Sequence, residues 1–138
     1  MTMTDIELLQ QAKQAMQHAY APYSGYKVGA ALLCEDGSVY SGCNIENASY
    51  SLTSCAERTT LFTAVAAGQR SFVSLAVVGG QDGDLRDFAY PCGACRQALS
   101  EFCGADFRVI LGKGGGETKV TTLGELLPGA FKLAQEAE

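Results

Sequence analysis

The chain has 138 residues, 47% of them apolar and 18% charged, with a net charge of −5. That length suits one compact domain over residues 1–138, and that composition argues against disorder. Ten scattered Lys and Arg residues cannot make the clustered basic surface a nucleic acid polymer needs, and no apolar run nears the roughly 20 residues of a membrane span. Met1 to Glu7 has neither the basic nor the apolar stretch of a secretory signal, so a soluble, cytoplasmic protein with a small, weakly charged substrate is expected.

Thr4-Asp5-Ile6-Glu7 is a capping-box pattern, and Ile6, Leu9, Ala12, Met16 and Ala19 recur at helical spacing. This predicts a helix from about 5 to 20, ended by Pro22. Ala21 to Tyr26 is a turn rich in aromatic side chains. Val28 to Cys34 reads as a buried strand, Asp36-Gly37 as a hairpin turn, and Val39 to about Ile45 as the returning strand. Glu46 to Ser54 is a polar loop, and Ser54 is expected to cap a helix over 55–67 that Gly68 stops. Phe72 to Val78, β-branched and nearly all apolar, has the pattern of a central strand covered on both faces. A loop over 79–90 leads to a helix from about 93 to 103 and a strand from Phe107 to Leu111. A glycine-rich turn, a strand from Lys119 to Thr122, one helical turn over 124–127 and a short acidic tail complete the chain.

This order, α-β-β-α-β-α-β-β, gives an α/β fold of three layers, α/β/α, around a mixed five-stranded sheet. Strand–helix–strand units join parallel neighbours by right-handed crossovers, while the short gap before the last strand makes the final pair antiparallel.

Six cysteines occur. In a secreted chain they could form three disulfides, whereas in a reducing cytosol metal binding or plain burial is the better reading. Cys34, Cys43 and Cys103 lie in apolar segments and read as core. Cys55, Cys92 and Cys95 lie in two motifs, Cys55-Ala56-Glu57-Arg58 and Pro91-Cys92-Gly93-Ala94-Cys95. Cys92 and Cys95 are one helical turn apart, and Cys55 opens the other helix. Helix starts carry partial positive charge and favour thiolates. Two helices beginning beside the carboxyl ends of adjacent strands would bring the three sulfurs together.

Zinc takes about four ligands, and catalytic sites keep one position for water. No fourth Cys or His stands at ligand spacing; the single histidine, His18, lies on the first helix and reads as structural. Glu57, two positions from a ligand, is placed to move a proton of that water without coordinating the metal. Arg58 offsets the negative charge of the thiolates. Taken alone, the Pro-Cys-x-x-Cys is as often a structural half-site or a redox pair, and Glu57 would be a solvated helix carboxylate paired with Arg58. The joint occurrence of both motifs favours hydrolytic zinc chemistry.

At these residues the chain resembles the cytidine deaminase family, in its small homotetrameric form with a three-cysteine zinc site. The likeness extends through Ala21-Pro22-Tyr23-Ser24, Gly42 to Ala48, Cys55 to Arg58, Pro91 to Gln97 and Glu125 to Phe131. It implies that Cys55, Cys92 and Cys95 hold one zinc per subunit and that Glu57 is the proton shuttle. It also implies that Asn44 and Glu46 bind the sugar, Glu46 through the hydroxyl common to ribose and 2′-deoxyribose. The backbone at Ala56 would read the pyrimidine edge. Ala48, Tyr50 and Phe131 would reach the pocket of a neighbouring subunit. Tyr26 stands where relatives commonly carry Phe, keeping a ring for the base while adding a hydroxyl.

The implied reaction is hydrolysis of cytidine and 2′-deoxycytidine to uridine and 2′-deoxyuridine with release of ammonia, a step of pyrimidine salvage. The rivals are a deaminase of a modified cytosine nucleoside such as blasticidin S, a polynucleotide deaminase, which the acidic charge disfavours, and a structural zinc or redox module.

Overall fold

The structure is a computed structural model that describes residues 3–133; the acidic tail expected after Phe131 lies, from residue 134, outside the described residues. Helix α1 (Asp5–Met16) opens with the expected capping box: Glu7 N donates to Thr4 Oγ1 at 3.1 Å and Thr4 N to Glu7 Oε1 at 2.9 Å. The helix stops at Met16 rather than near 20. Tyr20 leaves it to form a bridge, its N–H donating to Asn44 O (3.0 Å) while its carbonyl accepts from Glu46 N (2.8 Å). Tertiary pairing outweighs helix propensity over those last residues.

Strands β1 (Tyr26–Cys34), β2 (Val39–Cys43), β3 (Phe72–Gln81), β4 (Arg108–Gly112) and β5 (Thr118–Thr122) make one sheet in the order β2-β1-β3-β4-β5. The pairs β1–β2, β1–β3 and β4–β5 are antiparallel and β3–β4 is parallel. The mixed five-stranded sheet and the antiparallel last pair are as expected. One neighbour relation differs: β2 and β3 run the same way, yet β1 lies between them. Burial explains this. Six consecutive residues of β1 are buried, as suits a central strand, whereas β2 is only half-buried and suits an edge.

The remaining helices are α2 (Ala56–Ala66), α3 (Gly93–Ser100) and the short α4 (Leu123–Leu126). Alternate side chains of each strand enter opposite layers, the period-two pattern of a pleated strand. Ala30, Leu32, Leu75, Val77, Val109 and Leu111 pack with Leu61, Ala64 and Leu99 of α2 and α3. Ala31, Leu33, Ala76, Val78 and Ile110 pack with Leu8, Leu9, Ala12 and Met16 of α1. Three layers result, with one helix on one face and the others opposite. Among the described residues no helix is long and apolar enough to cross a membrane.

Gly29 marks the closest approach of α1 to the sheet. A Cβ there would stand 2.0 Å from Ala12 O and 2.6 Å from Met16 N, both backbone atoms that cannot step aside. Gly29→Ala is therefore expected to cost about 3 kcal/mol and lower the thermal midpoint by about 10 °C, read by circular dichroism. An unchanged melting temperature would show that α1 does not press on β1 at this point.

Arg108 at the start of β4 ties down the start of α1, its Nη1 and Nη2 donating to the two carboxylate oxygens of Asp5 at 3.0 and 2.7 Å. These bonds hold the Asp5 carboxyl below its ordinary value of 3.8. A lowered carboxyl stabilises the fold above its ordinary value, and that contribution is lost as the pH falls through the lowered one. Both side chains are about 40% exposed, so Asp5→Asn is expected to cost no more than about 1 kcal/mol at neutral pH. In urea titrations the difference from the parent protein disappears in acid; a difference that grew in acid would contradict the pairing.

Candidate active site

The carboxyl ends of β2 and β3 lie at the same edge of the sheet, with the start of β1 between them. The two metal motifs follow those ends, so the expectation of adjacent strands is corrected to strands flanking β1. Cys55 is itself the N-cap of α2, the place expected for Ser54, whose Oγ instead lies 2.9 Å from Thr59 Oγ1. Cys92 is the N-cap of α3, and Cys95 sits in its first turn. Neither capping cysteine bonds the helix with its side chain, so both sulfurs are free to turn towards each other.

They converge. Cys55 Sγ lies 3.7 Å from Cys92 Sγ, Cys92 Sγ lies 3.5 Å from Cys95 Sγ, and all three fall within 4.8 Å of one another. None is in a disulfide. The fit to zinc can be tested on this spacing: a tetrahedral ion with zinc–sulfur bonds of about 2.3 Å sets its sulfurs about 3.8 Å apart. The donor set is soft, two of its members stand at helix N-termini, and one side is open, since Cys92 is exposed while Cys95 is buried. The residues fit the metal. A hydrogen bond from Cys95 and another from Arg58 pull the Cys55 thiol down to about 5. The Cys95 thiol is raised, by its bond to that same sulfur and by burial.

Glu57 occupies the first turn of α2 and is only 4% exposed. Burial pushes its carboxyl up to about 7, with a smaller push from the negative charge of Cys55. This is no solvated helix carboxylate. A carboxyl balanced near neutrality beside the sulfurs can both accept and return a proton. Arg58 directs Nη2 to Cys55 Sγ at 3.4 Å rather than to Glu57. Its Nε is buried without a hydrogen-bond partner among the described residues.

Asn44 is buried at the end of β2 and serves the backbone twice, accepting from Val28 N (3.0 Å) and donating to Tyr26 O (2.8 Å). One amide N–H and one lone pair remain. Glu46 Oε1 accepts from Tyr23 N (2.9 Å) and Ser24 N (3.1 Å), and Oε2 accepts from Ser24 Oγ. The carboxylate lines a cavity of about 350 Å³ with Tyr23, Asn47, Tyr50 and Thr53. Tyr26 opens β1, 39% exposed, its hydroxyl raised by burial and by the charges of Asp87 and Glu57. Ala56 is fully buried at the first position of α2, where backbone N–H groups have no intrahelical acceptor.

Of the other expected contacts, only Tyr50 lines that cavity beside Glu46 within one chain; Ala48 and Phe131 do not. Tyr50 and Phe131 are 75% and 66% exposed, and Ala48 is exposed as well. Sequence reasoning passes over three side chains that hold the site's frame. Arg96 donates to Pro91 O (2.7 Å) and Leu126 O (2.8 Å), tying the approach to Cys92 onto α4. Gln97 donates to Phe131 O at 3.1 Å, and Gln81 to Ser24 O at 2.8 Å. Apart from Pro91, five residues from Arg96, their partners lie 30 or more residues away, so no local pattern signals them.

A family profile described as the cytidine and deoxycytidylate deaminase zinc-binding region matches residues 2–112. A cytidine deaminase of Sporosarcina psychrophila is 52% identical over 128 residues, covering 92% of this chain and 91% of that protein. The crystal structure of cytidine deaminase from Burkholderia pseudomallei superposes with a TM-score of 0.87 at 50% identity, covering 94% of this chain and all of that one. A blasticidin-S deaminase of Bacillus cereus is more distant, at 30% identity over 128 residues, covering 90% of this chain and 89% of that protein.

Proposed function

The chain belongs to the cytidine and deoxycytidylate deaminase family, and from that membership we propose that residues 1–138 act as one domain that hydrolyses cytidine and 2′-deoxycytidine to uridine and 2′-deoxyuridine, releasing ammonia. The observation that carries this reading is a carboxyl buried in the first turn of α2 beside three convergent sulfurs.

Cys55, Cys92 and Cys95 would hold one zinc per subunit, which would supply a Lewis acid and bring water into reach of deprotonation at neutral pH. Glu57 takes a proton from the attacking water and passes it to N3 of the cytosine ring as the water oxygen adds to C4. The same carboxyl then takes the proton of the new C4 hydroxyl and gives it to the amine, so that the C4–N4 bond breaks, the C4 carbonyl forms and ammonia leaves. Arg58 lowers the net negative charge on the sulfurs through its contact with Cys55.

For the sugar, the groups left over at Asn44 and Glu46 are complementary. Asn44 retains an N–H to donate and Glu46 an oxygen to accept, which suits a hydroxyl that does both. We assign that hydroxyl to the 3′ position, common to ribose and 2′-deoxyribose. The Ala56 N–H meets the pyrimidine edge, and the ring of Tyr26 packs on the base. Phe131, Tyr50 and Ala48, left exposed in one chain, complete the pocket of a neighbouring subunit in a homotetramer. The setting is pyrimidine salvage in the cytoplasm.

Two relatives named for cytidine are 52% and 54% identical to this chain, against 30% for the one named for blasticidin S, which favours the ordinary nucleoside. Competition tests the choice. Offered cytidine, 2′-deoxycytidine and blasticidin S together, the enzyme should consume the first two; preferential loss of blasticidin S would reverse the assignment.

A further inference from the structure

The turn between α1 and β1 has no task in the reaction, yet it takes up most of the hydrogen-bonding capacity of Glu46. A carboxylate has about four acceptor positions. Tyr23 N and Ser24 N take both positions of Oε1, and Ser24 Oγ takes one of Oε2. The direction of that last bond is set by its surroundings. Ser24 Oγ already accepts from Tyr26 N at 3.0 Å, so its single proton goes to Glu46. Held at three points, the carboxylate cannot rotate about its terminal bond, and one acceptor position on Oε2 stays open.

Ser24 is in turn fixed from the far end of β3. Gln81 Nε2 donates to Ser24 O at 2.8 Å, and Asp82 N donates to Gly25 O at 2.7 Å. Gly25 adopts a φ of +73°, and a Cβ there would lie 2.5 Å from Gln81 Nε2, so the close seat of the turn on Gln81 depends on the missing side chain. Through Ser24, one hydroxyl links the carboxylate of Glu46, the first residue of β1 and the end of β3.

We propose that Ser24, braced by Gln81, is a positioning residue that aims the one open acceptor of Glu46 at the 3′-hydroxyl of the nucleoside, so that the turn over 21–25 sets selection for a free 3′-OH. The proposal rests on the reading of Glu46 as the sugar-binding carboxylate. A 3′-phosphoester offers no proton to that acceptor and brings a negative charge towards it, so the same device rejects nucleotides inside a strand.

The test is steady-state kinetics of the zinc-loaded enzyme on cytidine and on 3′-deoxycytidine. Ser24→Ala is expected to raise KM for cytidine about tenfold with kcat within about twofold, and to leave KM for 3′-deoxycytidine unchanged. Ser24→Thr keeps the hydroxyl and restores the parent values. Gln81→Leu leaves Ser24 in place and shows the same cytidine-only pattern at about threefold, which keeps the idea testable should Ser24→Ala fold poorly. Glu46→Gln separates the two levels. If Glu46→Gln weakens cytidine alone while Ser24→Ala and Gln81→Leu weaken both substrates equally or neither, the positioning role is overturned and the sugar role of Glu46 stands. If Glu46→Gln itself does not distinguish the two substrates, the sugar role falls and the positioning role with it.

Discussion

Replacing Glu57 with Gln leaves zinc bound and removes turnover of cytidine by roughly a thousandfold or more, the scale of losing a positioned proton carrier. The amide has the shape of the acid, so it fills the same site, where only 4% of the residue is exposed. What it lacks is an oxygen that can take up and return a proton. The substitution also has a signature in stability. Burial raises the carboxyl from 4.5 to about 7, so the unfolded chain gives up its proton first as the pH rises. The zinc-free protein therefore loses stability across that interval, and Glu57→Gln, having no proton to lose, is free of that slope. Zinc content, single-substrate kinetics and urea titrations at several pH values read all three effects. A variant that deaminated cytidine at a rate near the parent's would remove Glu57 from the mechanism.

Loss of a metal ligand is the other large effect. Cys95→Ala is expected to yield protein that keeps less than about a tenth of its zinc after desalting and has no measurable turnover, a loss beyond the roughly 10–100-fold that removing an outer partner of a ligand costs. Cys95 is fully buried under the other two sulfurs. Alanine offers no donor there, and two sulfurs remain where three converged. Cys103→Ala is the matched control. Cys103 is also buried, with its thiol pushed up to about 12 by that burial, but it packs in the apolar layer under α2 and α3. Its variant should lose some thermal stability and retain the full zinc content. Equal zinc retention in both variants would contradict the ligand set.

Both variants probe the part of the molecule that is most legible in the amino-acid sequence. Cys55, Glu57, Cys92 and Cys95 all stand at helix starts, where spacing along the chain translates directly into direction in space. The apolar runs of β1, β3 and β4 are equally legible, because a strand buried on both faces must be apolar at nearly every position.

What stays hidden in the sequence depends on approach between distant segments. Nothing local in β2 says that β1 will separate it from β3. The early end of α1 follows from Tyr20 pairing with Ile45, 25 residues on, in place of another helical turn. The sugar role proposed for Glu46 comes from family likeness, and the three hydrogen bonds that its carboxylate accepts from Tyr23 and Ser24 arise only as the turn over 21–25 folds against it. Asn44 shows the same limit: a polar residue at a strand end is visible in a sequence, but not that its amide closes the backbone of β1 at both Tyr26 and Val28.

A zinc-dependent hydrolase of cytidine has a clear signature in one titration. Purified protein is stripped of metal with a strong chelator, zinc is returned in steps, and uridine and ammonia are measured together after addition of cytidine. The expected result is no turnover without zinc, one ammonia for each uridine formed, and activity that rises in proportion to zinc until there is one ion per chain. Full activity in the stripped protein, or no ammonia from the zinc-loaded one, would contradict that assignment.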